Sequence, residues 1–326
     1  MIEANVINKG FSGMPHRPRS PKLFLAALLP LLLASLPAHA LMAGAAPDSP
    51  AARVDPNTSS SPFAGVGSLS IGGGTFSGTL IAPGYVLTAA HVASGVAPSD
   101  IVFNLNIGGN LTQKIGASAV YINPTYSAFT GTHPADGDLA IIKLAREADA
   151  GTPSYDLYRG DLPTGSTLTL VGYGDSGNGN TGVISASASP SVKRIGQNNA
   201  DSFAASASGA IAKALYYFDF DGPAGTVNAM GGESLGNLIE TSLATGDSGS
   251  PAFIQDAQGK WLLAGVNTFR FGSLIFGTGS GGGGQLASSY ANWIDSVITP
   301  VPEPSPALMM LSALGLLGIA VRRHKA

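Results

Sequence analysis

The chain of 326 residues contains no cysteine. That excludes a disulfide framework, a thiol nucleophile and thiolate metal sites, while leaving export open. Charge is scarce, at 11% of residues, and aromatic side chains supply only 7%. A basic run is missing as well: between Leu41 and Pro300 there are 10 Lys and Arg against 18 Asp and Glu, a net charge of −8. The overall value of −3 hides this imbalance, because basic residues gather at the two ends. An acidic body with no basic stretch argues against a nucleic-acid partner. The body also lacks a His-x-x-x-His pair, so no metal and no other cofactor is expected. Asp219 and Asp221, alternating along one run, read as a solvated face rather than as calcium ligands. Glycine is plentiful instead, at 44 residues. With abundant Ala, Ser and Thr, it favours many short strands and turns over long charged helices.

Residues 1–13 carry no pattern, and Met14 is a possible start. His16, Arg17, Arg19 and Lys22 then form a basic head, followed by the apolar run Leu23–Pro37 and by Ala38-His39-Ala40. Basic head, apolar run and A-x-A site together predict a secretory signal peptide over 1–40, cut after Ala40. Residues 41–61, rich in Ala, Pro and Ser, read as a linker or short pro-segment. Strands are expected at 66–71, 75–81 and 85–88, and in further runs at 101–107, 119–122, 138–144, 167–173, 215–220, 252–255 and 261–269. Such spacing predicts an all-β sandwich or barrel. Long surface loops are expected at 175–214 and in the glycine-rich 278–284, and one helix over Leu286–Ile298 with Trp293 and Ile294 inward. In the tail, Val301-Pro302-Glu303-Pro304 precedes the apolar stretch Ala307–Val321 and the basic end Arg322-Arg323-His324-Lys325. That stretch predicts a short transmembrane helix, inserted transiently, with its basic end cytoplasmic.

Chemistry concentrates in Thr245-Gly246-Asp247-Ser248-Gly249-Ser250-Pro251. A serine hydroxyl is a poor nucleophile unless a base lies beside it and donors face the developing oxyanion. The small neighbours of Ser248 admit a carbonyl, and the backbone N–H groups of Gly246 and Ser248 are candidate donors. Of the five histidines, only His91 and His133 lie in the body. His91 follows an apolar strand and two alanines, where an imidazole is held half-buried, whereas His133 sits in a proline-flanked loop. Asp138 opens the apolar run Asp138-Leu139-Ala140-Ile141-Ile142, and a buried carboxylate there needs a partner such as an imidazole. Asp136 is the alternative acid.

Leu87-Thr88-Ala89-Ala90-His91, Asp138-Leu139-Ala140-Ile141-Ile142 and Gly246-Asp247-Ser248-Gly249-Ser250-Pro251 resemble the three blocks of trypsin-like (chymotrypsin-fold) serine proteases, in the family's order. Gly78-Thr79-Leu80-Ile81, Gly172-Tyr173-Gly174 and Tyr290-Ala291-Asn292-Trp293-Ile294 resemble supporting blocks. The resemblance spans residues 62–298 and implies an all-β fold of two six-stranded antiparallel barrels, with the active site between them and a C-terminal helix. It implies a protein or peptide substrate, Ser248 as nucleophile, His91 as general base and acid, and Asp138 as the residue orienting His91. The oxyanion hole would be the N–H groups of Gly246 and Ser248. Family members made as zymogens begin with a branched apolar pair and two glycines, and the freed amine pairs with the acid before the nucleophile. No such start lies near Phe63, so Asp247 is expected to have another partner.

For specificity, Ser242 resembles the floor of the family's primary pocket, and Thr268 and Phe269 resemble the strand that pairs with substrate. A neutral floor and Arg270 at the mouth imply a small or medium apolar side chain before the scissile bond. The tail, residues 299–326, resembles the PEP-CTERM sorting signal of Gram-negative bacteria. That implies processing by an exosortase-type enzyme and a secreted or cell-surface product. A catalytically silent chymotrypsin-fold protein acting in binding or in an extracellular matrix is the alternative from another functional class.

Overall fold

The computed structural model describes residues 41–129, 133–221, 227–272 and 279–299. The readings of 1–40 and of the tail beyond 299 fall outside them. The first half is a closed antiparallel barrel built from β2 (Val66–Ile71), β3 (Gly74–Ala82), β4 (Tyr85–Thr88), β5 (Ile101–Leu105), β6 (Gln113–Ile122) and β7 (Ala140–Leu144). Around the barrel the order is β2-β3-β4-β7-β6-β5. β1 (Leu41–Ala43) precedes it in the chain.

The second half begins with β8 (Ser166–Gly172), the short pair β9 (Ser176–Asn178) and β10 (Gly182–Ile184), and β11 (Arg194–Ala200). β12 (Ser202–Ala204), β13 (Leu215–Asp219), β14 (Pro251–Gln255), β15 (Trp261–Phe271) and β16 (Gly281–Leu286) follow. Seven of these strands form one curled half-barrel sheet in the order β11-β8-β14-β15-β16-β13-β12. A separate three-stranded sheet runs β1-β9-β10. The chain closes with a helix over Ala291–Ile298, entered through a 3-10 turn at Ala287–Tyr290; Ile294 is buried and Trp293 half-buried.

Period-two alternation explains how one sequence serves two cores. In β7, Ala140, Ile142 and Leu144 point into the first barrel, while Ile141 and the preceding Leu139 face the second half. They meet Val171, Phe253, Leu263 and Val266 there, so the strand that Asp138 leads into is fixed by both halves at once. Each such fully buried aliphatic side chain contributes roughly 2 kcal/mol.

Two stretches expected as surface loops are structured. Residues 175–214 contain β9 to β12, and Gly281–Gly284 form most of a buried central strand. The glycines stand where no side chain fits: a Cβ on Gly281, Gly283 or Gly284 would come within 2.1, 2.2 or 1.8 Å of a neighbouring carbonyl oxygen. The segment 41–61, read as a linker or pro-segment, is packed against the domain: Leu41, Met42 and Ala43 are each fully buried.

The transmembrane helix expected over Ala307–Val321, with its transient insertion, is corrected. No helix among the described residues is long and apolar enough to cross a membrane, and the stretch itself lies outside them. Fifteen residues of helix rise only about 22 Å, short of a hydrocarbon core of about 30 Å.

One buried ion pair secures the entry to the first barrel. Lys193 Nζ lies 3.2 Å from Asp55 Oδ2 and donates to the Phe63 carbonyl at 2.8 Å, with both charged side chains sealed from solvent. Burial pulls the Lys193 pKa down and Asp55 opposes that pull. Asp55→Ala therefore leaves a lone ammonium in the interior. It is expected to lower the unfolding free energy by about 3–5 kcal/mol in a denaturant titration; a loss below about 1 kcal/mol would mean that the pair is not a keystone of this segment.

Candidate active site

Strand register brings the imidazole and the carboxylate together. Thr88, the last residue of β4, pairs with Ala140, the first of β7. His91 follows Thr88 by three residues on the one-turn helix α1 (Ala90–Ala93), and Asp138 precedes Ala140 by two. His91 donates its backbone N–H to Asp138 Oδ1 at 2.8 Å, and its ring Nδ1 lies 2.7 Å from Oδ2. Facing a buried carboxylate, Nδ1 carries the proton, which leaves Nε2 as an acceptor. Ser248 Oγ lies 2.9 Å from that Nε2. Asp138 is buried whereas the His91 side chain is 36% exposed, so the chain of hydrogen bonds runs from the interior to an open cleft.

The turn carrying Ser248 needs its glycines. Gly246 and Gly249 have φ of +92° and +82°, and a Cβ on Gly249 would lie 2.0 Å from Thr88 Oγ1. Within the turn, the N–H groups of Asp247, Gly249 and Ser250 are bonded to the carbonyls of Ala244, Asn267 and Asp247. Those of Gly246 and Ser248 have no acceptor among the described residues. Two free donors flanking one hydroxyl form an arrangement able to hold a developing oxyanion.

Two side chains that support this turn, Ser77 and Asn267, escaped the sequence reading. Ser77 of β3 donates its N–H to the Ser248 carbonyl at 3.0 Å and its hydroxyl to the Gly246 carbonyl at 3.3 Å. The same hydroxyl accepts from the Tyr173 N–H at 3.0 Å, tying the first barrel to the turn that carries Ser248. Asn267 donates to Ser250 Oγ at 2.8 Å and accepts from Tyr216 Oη at 2.7 Å, so the serine at position 250 has a defined role. Asp247 is wholly buried and accepts from the N–H groups of Gly174 and Ala244, each at 2.9 Å. The Leu41 N–H also bonds it, and Arg194 lies near; burial nonetheless pushes its pKa up to about 7. Gly172 and Gly174 make room for this carboxylate, since a Cβ on Gly172 would sit 2.1 Å from its Oδ1. Only the partner of Asp247 was anticipated as different from the usual one. No local pattern betrays the others, because their contacts join distant parts of the chain.

The remaining candidates lie elsewhere. His133 Nδ1 lies 2.9 Å from the Pro134 carbonyl oxygen, and Asp136 accepts from the Ala207 N–H through both oxygens. Neither reaches Ser248. Among the described residues no cluster of three or more His, Asp or Glu side chains is placed to hold a metal ion.

Two clefts open beside the hydrogen-bonded chain. One, of about 300 Å³, adjoins Ser248 and is bounded by Leu243, Ala244, Asn267, Phe269 and Arg270. Ser242, expected at the pocket floor, is fully buried and does not border this cleft. The other, of about 640 Å³, runs from His91 past Tyr126, Tyr217, Met230 and Phe271. Thr268 and Phe269 border both, at a bulge in β15.

A closed six-stranded barrel, a curled half-barrel and one C-terminal helix make this a chymotrypsin-like fold. The chain belongs to the trypsin family, whose model matches residues 54–294. Residues 300–324 match the PEP-CTERM protein-sorting motif. No curated protein matches the chain.

Proposed function

We propose that the protein is an exported serine endopeptidase that cuts peptide bonds through an acyl-enzyme on Ser248. The observation that carries this reading is the unbroken hydrogen-bonded chain from Asp138 through His91 to Ser248. His91 Nε2 takes the hydroxyl proton as Ser248 Oγ adds to the substrate carbonyl. Asp138 holds the Nδ1–H tautomer and balances the imidazolium that forms. The oxyanion is received by the N–H groups of Gly246 and Ser248. His91 then returns its proton to the leaving amine, the C–N bond breaks, and the acyl-enzyme remains. Water repeats the sequence: His91 takes its proton, hydroxide adds to the ester carbonyl, and Ser248 leaves with the proton returned.

The cleft beside Ser248 supports a preference for a small or medium apolar residue before the scissile bond. Leu243, Ala244 and Phe269 line it without charge, and the cationic Arg270 at its border disfavours a basic side chain. The larger aromatic-walled cleft beyond His91 suits apolar residues farther toward the substrate N-terminus. Export is supported by the leader and by the sorting motif at 300–324, which implies an exosortase-type processing enzyme and a product outside the cell. In a peptide library the protein is expected to cleave after Ala, Val or Leu at least about 10-fold faster than after Lys or Arg, the gap that about 1.4 kcal/mol of differential binding produces. Absence of any cleavage would overturn the reading, and faster cleavage after Lys or Arg would overturn the specificity.

A further inference from the structure

We propose that Arg270 selects substrates with an aspartate or glutamate at the third position before the scissile bond. The segment leading to the cut would then read apolar, acidic, apolar, small apolar. The inference rests on the reading of Ser248 as nucleophile and names a substrate class for that same site.

Backbone geometry sets the register. Asn267 donates its N–H to the Ser250 carbonyl and accepts from the Gly249 N–H, each at 2.8 Å, so β15 passes beside the turn that carries Ser248. From there Thr268, Phe269 and Arg270 border both clefts. β14 pairs with β15 only as far as Val266. Beyond Asn267 that edge of β15 has no strand beside it among the described residues. A substrate whose carbonyl reaches Ser248, and whose N-terminal part lies over the larger cleft, runs antiparallel to this edge. Both strands advance about 3.3 Å per residue. With the residue that carries the carbonyl beside Thr268, the residue two places earlier stands opposite Arg270.

Alternation along an extended segment sorts the four side chains. The first and third positions before the bond share one face, and the second and fourth share the other. The first enters the small cleft beside Ser248, so the third lies on the side of that cleft which Arg270 borders. The second and fourth turn toward Tyr126, Tyr217 and Phe271 in the larger cleft.

Arg270 is exposed, and no other Lys or Arg borders either cleft. Arg53, Arg146 and Arg159 each hold an aspartate, whereas Arg270 has no ion-pair partner among the described residues. The internal stretches outside them, 130–132, 222–226 and 273–278, contain no acid. Across the sheet, the residue paired with Arg270 is Gly282, which offers no side chain. The carboxylates of Asp138 and Asp247, which border the clefts, are buried and already bonded to His91 and to backbone N–H groups. A guanidinium stays charged at any working pH and presents a planar fork that fits a carboxylate. Opposite charges facing each other across an antiparallel pair attract, and like charges repel. Because the body carries a net charge of −8, acidity spread over a peptide brings no advantage; a single carboxylate opposite Arg270 does. The pairing of substrate with this edge is implied by the family resemblance. The acidic preference is particular to this chain, since it comes from the Arg270 side chain.

The test is a set of peptides with Leu or Ala before the bond, apolar second and fourth positions, and Glu, Gln or Lys at the third. With the unaltered protein, Glu is expected to raise kcat/KM about 3- to 5-fold over Gln, the scale of an exposed cross-strand ion pair. Lys is expected to fall below Gln, and about 0.5 M salt should shrink both gaps. Arg270→Glu is expected to invert the order, with Lys fastest and Glu slowest. Equal rates for Glu and Gln, an equal gain from Glu at the second or fourth position, or a gain that survives Arg270→Glu overturns the proposal. Cleavage without an acidic preference sinks this inference alone. If the folded protein cuts no peptide, the reading of Ser248 falls and takes this one with it. Should Arg270→Glu fail to fold, the position scan on the unaltered protein still decides.

Discussion

Replacing Ser248 by alanine is expected to lower kcat by on the order of 10⁶-fold, the scale seen when a member of such a unit is removed. It should also abolish fluorophosphonate labelling. The fold should survive. Among the described residues Ser248 Oγ bonds only His91, and the side chain is half-buried, so the change removes one hydroxyl without opening a cavity. The neighbouring serines are different. Ser77 and Ser250 are fully buried, and their hydroxyls bind Gly246, Tyr173 and Asn267, so replacing them is expected to disturb the turn rather than the chemistry. Labelling that persisted in Ser248→Ala, with an unchanged melting temperature, would place the reactive hydroxyl elsewhere.

The groups that meet at Ser248 were legible where they are embedded in local pattern. His91 stands at the end of an apolar strand and Asp138 at the start of another, and period-two burial of those strands is visible in sequence. Register then does what spacing along the chain cannot: pairing Thr88 with Ala140 brings His91 and Asp138 face to face. Ser77 gave no such signal. Its partners Tyr173 and Gly246 lie 96 and 169 residues away, and a serine in a strand looks like any other.

Composition misled in two places, for opposite reasons. Gly281–Gly284 looks like a flexible loop because glycine usually marks one, yet the strand is glycine because neighbouring carbonyls leave no space. β11 looks like a loop because it is polar, yet its amides are buried and paired. Asn198 donates to the carbonyls of Asp219 and Thr241, at 2.7 and 2.9 Å, and Asn199 donates to that of Glu233 at 2.6 Å. A buried amide that finds its partners serves a core as an aliphatic side chain does. Hydrophobic patterning has no way to see it.

Asp138→Asn separates orientation from packing, because it changes one atom's chemistry and almost no volume. Asp138 now accepts twice from His91, through Oδ1 from the backbone N–H and through Oδ2 from ring Nδ1. An asparagine has one oxygen and one amide nitrogen for those two positions. If its oxygen keeps the backbone N–H, its NH₂ faces Nδ1, which must then be the unprotonated nitrogen. The ring proton moves to Nε2 and points at Ser248 Oγ, where a base is needed. If the amide turns over, its NH₂ opposes the His91 N–H and a buried donor is left unpaired, so the first orientation prevails. The expected result at neutral pH is a fall in kcat of about 10⁴-fold with a near-normal fold, because the tautomer is wrong while the geometry stands. Parallel loss of labelling rate at Ser248 would locate the defect in nucleophile activation rather than in substrate binding. A fall below about 10-fold, with the protein folded, would mean that Asp138 is a structural partner of the His91 backbone and that another group sets the imidazole.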